Sequence, residues 1–107
     1  MYRYIWKIKL DNPDREDEFI QHWKDGSTIL QQFPGALGTH MHRVRGEEHS
    51  FFAVAEWESQ ASRDAMQKEV ETGSTERARL WRAMPNNEDF GEIINFAGEE
   101  TGVVLPE

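Results

Sequence analysis

Two histidines near the middle of the chain, His40 and His42, have a spacing that suits metal ligands or acid–base groups. They flank one residue of a segment that predicts a strand, so both imidazoles face the same side. A metal ion also needs a third ligand, for which Glu47 is the candidate in the sequence. We predict no metal site. Pocket-lining histidines and ordinary strand or interface histidines remain open as alternatives.

Four tryptophans are the other candidates, a high number for so short a chain. Trp6, Trp23 and Trp81 lie on the predicted packing faces of a strand and two helices. Trp57 is the last residue of a predicted strand and comes just before a helix cap. Each one alone is more typical of packing than of chemistry. His22 and His49 have no context beyond a helix surface and a loop. The sequence contains no glycine-rich phosphate loop and no serine nucleophile elbow.

The composition limits the classes of protein to which the chain can belong. It has 107 residues, a net charge of −8 and no cysteine, so disulfides, thiolate metal sites and cysteine nucleophiles are excluded. An acidic domain repels phosphate backbones and acidic membrane surfaces, so we predict no nucleic-acid partner and no membrane partner. The segment Met1–Tyr4 is strand-like and lacks the apolar run of a signal peptide. We therefore expect a cytoplasmic protein.

The hydrophobic periodicity predicts one α+β domain over residues 1–107. The order of its elements is that of the ferredoxin-like βαββαβ fold with an antiparallel sheet. The tail after residue 100 is expected to extend a sheet edge. The predicted elements are strands over Tyr2–Leu10, Ala36–Arg45, Ser50–Trp57 and Phe90–Ala97, a long helix from Asn12 to Phe33, a helix from Ser59 to Val70, and a short helix over Thr75–Met84.

Apolar residues on both faces of two predicted strands favour a homodimer. The run Phe51–Ala55 is apolar on both faces, and so is the pair Ile93 and Ile94. The helices cover one face of the sheet, so the same face of a second copy is the simplest cover for the other. The alternatives are a monomer with an aromatic-rich core and a sheet covered by the C-terminal tail. Two facing sheets make a dimeric α+β barrel whose interior can hold a small ligand.

The length of the hairpin loop decides which strand residues share a face. If the loop is Gly46–His49, Arg45 pairs with Ser50 and His42 lies opposite Ala53. His42 would then point to the same side as Trp57. That side would be the barrel interior, with Phe51 and Ala55 lining the same cavity.

Two short motifs resemble the antibiotic biosynthesis monooxygenase (ABM) family. They are Phe33-Pro34-Gly35, at the end of the long helix, and Trp57-Glu58-Ser59, at the end of the hairpin. The resemblance covers nearly the whole chain and implies a dimeric α+β barrel. The sequence is most similar to a branch that oxygenates phenolic polyketides (anthrones) to quinones with dioxygen and no cofactor, a similarity that extends to Gly102–Pro106.

The resemblance also implies site residues. The branch's pocket tryptophan falls on Trp57, its histidine on His42 (with a small shift in the hairpin) and its arginine on Arg77. Its asparagine is replaced by Ala53 and its tyrosine by Arg63. A second branch degrades haem, but its helix tryptophan is Met66 in this sequence and its histidine and asparagine have no counterpart, so haem oxygenation is disfavoured.

The resulting prediction is an ABM-type oxygenase that acts on a small aromatic or phenolic substrate without a cofactor. Its partners would be a second copy of the chain, the substrate and dioxygen. Two alternatives stay open: a non-catalytic module that binds or senses a small molecule on the same fold, and a metal-dependent enzyme. The predicted catalytic residues are His42, Trp57 and Arg77, and the predicted substrate-pocket residues are His40, Phe51, Ala53, Ala55, Arg63 and Met66.

Overall fold

The computed structural model describes residues 1–107 as four strands and three helices, in an order that confirms the predicted one. Two short 3-10 helices, Pro13–Arg15 and Asn87–Asp89, precede the first long helix and the last strand. The elements are β1 (Tyr2–Leu10), α1 (Glu16–Leu30), β2 (Ala36–Arg43), β3 (Ser50–Trp57), α2 (Gln60–Thr72), α3 (Glu76–Ala83) and β4 (Gly91–Glu99).

The four strands form one antiparallel sheet with the order β2-β3-β1-β4. The chain therefore has the α+β ferredoxin-like fold that its sequence predicts. Trp6 lies at the centre of the sheet, where it pairs with Ala53 on one side and with Asn95 on the other. Because cross-strand partners point to the same face of a sheet, these three side chains form one row across it.

Local signals in the sequence account for the helix starts. Asn12 accepts a hydrogen bond from the Asp14 backbone N–H at 3.0 Å, and Pro13 begins the 3-10 helix that leads into α1. Ser59 accepts from the Ser62 backbone N–H at 3.1 Å and begins α2. Each polar side chain satisfies a backbone donor that the first turn of a helix leaves without a partner.

The two family-like motifs lie side by side in the fold. The backbone N–H of Glu58 donates to the carbonyl of Gly35 at 2.9 Å, which joins the end of β3 to the turn after α1. Gly35 has a φ of 87°, a left-handed conformation that favours glycine. A Cβ at this position would lie 2.5 Å from the Ser62 side chain. This turn therefore requires glycine for its conformation and also for space.

The helices cover one face of the sheet, and the buried side chains of β3 lie on that face. Phe51, Ala53, Ala55 and Trp57 are all buried there. The other face, which we call the outer face, carries large apolar side chains from the edge strand. Ile94 is 64% exposed and Phe96 is 59% exposed.

The β2–β3 hairpin differs from its prediction by one residue. The Val44 backbone N–H donates to the Ser50 carbonyl at 3.0 Å, so the loop has five residues, 45–49, instead of four. His42 consequently pairs with Phe52, and Met41 takes the predicted place opposite Ala53. A shift of one residue turns every side chain of a strand to the other face. The prediction that His42 faces the same side as Trp57 is therefore wrong.

The C-terminal segment also differs from its prediction. Residues 101–107 form no strand and are exposed, so they extend no sheet edge. Val104 in this segment is 96% exposed. No helix of the chain combines the length and the apolar character that a membrane crossing requires.

Candidate functional site

A cavity lies between the helices and the covered face of the sheet. It consists of two adjoining chambers with volumes of about 200 Å³ and 180 Å³. Together they reach the lower end of the range of small-molecule sites, which is roughly 300–1,000 Å³. This cavity lies within a single chain, whereas the predicted one, between two facing sheets, requires a second copy and stays a prediction. Both chambers are lined by Trp6, Leu30, Ala55, Trp81, Asn87 and Glu88.

All four tryptophans of the chain line this cavity. Trp6 and Trp81 face both chambers, Trp23 lines the first and Trp57 lines the second. Trp6 meets the buried ring of Phe19 edge to face, with ring centroids 6.1 Å apart and ring planes at 87°. This contact holds the wall of the cavity against the core of the protein. The cavity is therefore suited to flat aromatic ligands.

Trp57 has a buried polar atom that lacks a partner. The residue is 1% exposed, and its indole Nε1 forms no hydrogen bond within the chain. A buried donor without an acceptor costs about 1–3 kcal/mol. Nearly all buried donors in folded proteins have a partner, so an exception calls for an explanation.

The second chamber, where Trp57 lies, also contains polar side chains from two other elements. Arg63 of α2 lines it, with the guanidinium carbon 4.8 Å from the centroid of the Tyr4 ring. Asn95 of β4 and Met66 of α2 line the same chamber. This end of the cavity therefore presents a cation and hydrogen-bond donors, together with the Glu88 carboxylate that lines both chambers.

The first chamber contains the one histidine of the cavity, His22. Its Nε2–H donates to the Oδ1 of Asn87 at 3.0 Å, and its ring stacks on Phe90 with centroids 5.0 Å apart. The guanidinium of Arg15 lies over Phe90, 4.3 Å from the ring centroid. A hydrogen bond and a stacking contact thus fix the position of the imidazole.

His40 and His42 lie outside the cavity, on the outer face of the sheet. The ring of His42 stacks on Phe52, with centroids 4.8 Å apart and planes at 21°. The Nε2 of His40 lies 3.5 Å from Glu56 Oε1. The structure therefore does not bring either histidine together with Trp57, and it contains no cluster of three side chains that could hold a metal ion.

Arg77, predicted as a catalytic residue, joins the three helices and does not line the cavity. Its guanidinium donates twice to the Glu69 carboxylate at 2.6 Å and once to the Gln32 carbonyl at 2.9 Å. The hydrogen bonds from Arg77, with a further one from Thr75, lower the pKa of Glu69 to about 2. Arg77 therefore connects the helices outside the cavity, and its catalytic role stays a prediction.

The predicted substrate-pocket residues divide between the cavity, the core and the outer face. Ala53 lines the first chamber, Ala55 lines both, and Arg63 and Met66 line the second. Phe51 belongs to the core beside the cavity, where it packs on Phe19. Substrate binding by these residues stays a prediction.

A comparison with family models identifies the class of this chain. The model of the antibiotic biosynthesis monooxygenase family matches residues 1–71. The chain belongs to the ABM family. No curated protein matches the sequence.

Solved structures similar to this ABM chain share its fold. A variant of SnoaB, a cofactor-independent oxygenase from Streptomyces nogalater, is 18% identical with a TM-score of 0.68, and the match covers 99% of this chain and 97% of SnoaB. A dimeric ferredoxin-like protein from an uncultured marine organism is 12% identical with a TM-score of 0.69, covering 99% and 92%. A conserved protein from Methanosarcina mazei is 13% identical with a TM-score of 0.72, covering 94% and 92%.

Sequence reasoning missed several polar residues that line the cavity of this ABM chain. Asn87 and Glu88 lie in the short 3-10 helix before β4, where the sequence shows no periodicity. His22 follows Phe19 by three residues and precedes Trp23, so it borders the apolar stripe of α1. The signal that the sequence offered for His22 was this position at the border of the stripe. A residue there lies at the edge of the surface by which the helix packs on the sheet.

Proposed function

We propose that this ABM chain is an oxygenase that inserts dioxygen-derived oxygen into a small aromatic or phenolic substrate in the cavity without a resident cofactor. Family membership supports an oxygenase, and the fold is shared with a cofactor-independent one. The substrate class follows from the tryptophan walls of the cavity, because flat aromatic rings pack on indoles by stacking and edge contacts.

The unpartnered N–H of Trp57 carries this proposal. It is a buried donor of a residue that lines the second chamber, and a ligand oxygen that enters this end would supply the acceptor it lacks. The guanidinium of Arg63 lines the same chamber. A phenolic or ketonic oxygen at this end would accept from both groups. Its negative charge in the ionised substrate would be stabilised in a site with little water.

The chemistry requires an electron-rich substrate anion. For a methylene group between aromatic rings, one C–H proton is removed and the carbanion reduces dioxygen by electron transfer and recombination. The resulting peroxide loses water as the second C–H bond breaks, and a C=O group remains. The substrate supplies all the electrons, one oxygen atom enters the product, and the other leaves as water. The protein needs to assist ionisation, stabilise charge and exclude water.

Oxygen uptake with anthrone-type phenols tests the proposal. One dioxygen should disappear for each quinone formed. Ala55 lines both chambers, so Ala55→Leu should fill the cavity and abolish turnover, whereas Ala83→Leu, at an exposed site on α3, should leave it unchanged. Circular dichroism establishes that both variants fold. No uptake above buffer with the unmodified protein contradicts the proposal.

We also propose that two copies associate through the outer faces of their sheets. Ile94 and Phe96 are large apolar side chains that the single chain leaves exposed. Exposed apolar patches of this kind mark interaction sites. A protein of similar fold is described as dimeric. The association would bury the outer face and leave the cavity, which lies on the opposite face, within each chain.

A second candidate function is a binding module without turnover. It is favoured by the loss of polar groups, since Ala53 lines the cavity where the related branch has asparagine and His42 faces away. Ligand-induced thermal stabilisation without oxygen uptake or product would select this candidate. Formation of product with one dioxygen consumed per product molecule would exclude a binding module.

A further inference from the structure

We propose that His22 is the general base of the cavity and takes the substrate proton on its Nδ1 nitrogen. This inference rests on the proposed function and adds a residue to it. Of the four histidines in the sequence, His22 alone lines the cavity. His40 and His42 lie on the outer face, and His49 lies in the hairpin loop.

The hydrogen bond to Asn87 determines which nitrogen can accept a proton. The amide Oδ1 of Asn87 can only accept, so the Nε2 of His22, 3.0 Å away, carries the hydrogen. In the neutral ring, the lone pair then belongs to Nδ1. Asn87 therefore acts as a positioning residue that selects the basic form of the imidazole.

The immediate surroundings of His22 contain more negative than positive charge. Glu88, in the 3-10 helix before β4, lines the same chamber, and Glu18 lies one turn earlier on α1. The guanidinium of Arg15 lies over the Phe90 ring, 4.3 Å from its centroid, where it pairs with Glu18 and donates to the backbone carbonyl of Asp89.

The two ends of the cavity therefore differ in chemistry. His22 provides a proton acceptor in the first chamber alone, and Trp57 and Arg63 provide donors in the second alone, while the Glu88 carboxylate lines both chambers. A ligand that spans both chambers would lose a proton at one end and gain stabilisation of its oxygen at the other. In the transfer, a substrate O–H or C–H bond breaks, an N–H bond forms at Nδ1, and the electron pair stays on the substrate.

The test uses 4-nitrophenol, whose ionised form absorbs visible light. Bound to the unmodified protein, it should show a larger ionised fraction than the free phenol at the same pH. His22→Gln keeps a polar side chain but removes the base, so the bound phenol should ionise less than it does in the unmodified protein. His42→Gln, on the outer face, should match the unmodified protein. With an oxidisable phenol, His22→Gln should lower turnover by about 10²-fold.

The outcomes separate the two proposals. If His22→Gln binds the phenol and ionises it as the unmodified protein does, His22 is not the base and the proposed function stands. If His42→Gln alone loses ionisation, the base lies on the outer face and the inference is overturned. If no phenol binds the unmodified protein, both proposals are contradicted. Asn87→Ala gives a second measurement, in which partial loss of ionisation with retained binding supports the positioning role and no change overturns it.

Discussion

The guanidinium of Arg77 and the carboxylate of Glu69 form a two-point ion pair, with Nε and Nη2 each 2.6 Å from a carboxylate oxygen. Arg77 also donates to the carbonyl of Gln32, just after the end of α1. One side chain thus connects α3 to α2 and to the end of α1. Parallel N–H···O bonds of this kind are among the stronger ion-pair geometries.

This pair predicts a specific loss of stability in acid. The pKa of Glu69 is lowered to about 2 by Arg77 and Thr75, from an unperturbed value of 4.5. The stabilisation is therefore present above 4.5 and is lost as the pH falls from there through about 2. Arg77→Gln should lower stability at neutral pH and reduce the acid-dependent loss, as followed by urea denaturation at several pH values. Equal pH dependence in both proteins would contradict this.

The buried N–H of Trp57 predicts that its removal weakens the binding of ligands that have a hydrogen-bond acceptor and leaves the binding of other ligands unchanged. Trp57→Phe keeps an aromatic ring but removes the donor. A neutral hydrogen bond is worth about 0.5–1.5 kcal/mol, so the variant should bind naphthol about 2- to 10-fold more weakly. Naphthalene has no acceptor, and its affinity should change little. Since all four tryptophans line the cavity, quenching of tryptophan fluorescence is a direct measurement. An equal change for both ligands would exclude the hydrogen bond.

Two glycines with positive φ predict different costs of substitution. Gly35 and Gly46 have φ values of 87° and 84°. A Cβ at Gly46 would meet nothing within 4 Å, whereas one at Gly35 would meet Ser62 at 2.5 Å. Gly46→Ala should cost the backbone strain alone, about 1–2 kcal/mol. Gly35→Ala should cost about 1–3 kcal/mol more, because it adds overpacking. Urea denaturation measures both, and equal costs would show that the turn relaxes freely.

The exposed apolar side chains of the outer face predict that a charged substitution among them prevents dimer formation. Phe96→Glu introduces a charge into the exposed apolar patch of β4. If two copies associate there, the variant should elute as a monomer where the unmodified protein elutes as a dimer, because a charge buried without a partner is costly. Leu80→Glu is the control, since Leu80 is exposed on α3 and should leave the dimer intact. A monomeric unmodified protein at high micromolar concentration would refute the association.

The arrangement of strands and helices could be predicted because each element carries its own signals. The period-two pattern of Tyr2–Leu10 gives β1 its observed bounds, and Ser59 gives the start of α2. These signals are local, so one sequence suffices to find them. The fold class follows from the order of the elements.

The register of β2 could not be predicted in the same way. It depends on whether the hairpin loop has four or five residues. That choice depends on backbone conformations at Gly46 and His49, both of which have positive φ. Such a conformation is uncommon for histidine and cannot be inferred from its neighbours. The error placed His42 on the wrong face.

The cavity was missed because it results from packing between elements. Trp6 on the sheet and Trp81 on α3 belong to different layers of the fold and both line the two chambers. A sequence shows that both are large and apolar, but it does not show that a gap remains between them. For a related reason, the sequence does not show that Arg77 pairs with Glu69 within the helical layer.

The hairpin loop of five residues has a consequence for comparisons among relatives of this chain. Loss or gain of one residue in that turn would move each side chain of β2 to the opposite face of the sheet. Met41 would then lie on the outer face and His42 on the face that the helices cover. A single insertion or deletion could then alter ligand contacts and self-association together. Alignments that match residue types along this strand can therefore pair side chains that never share an environment.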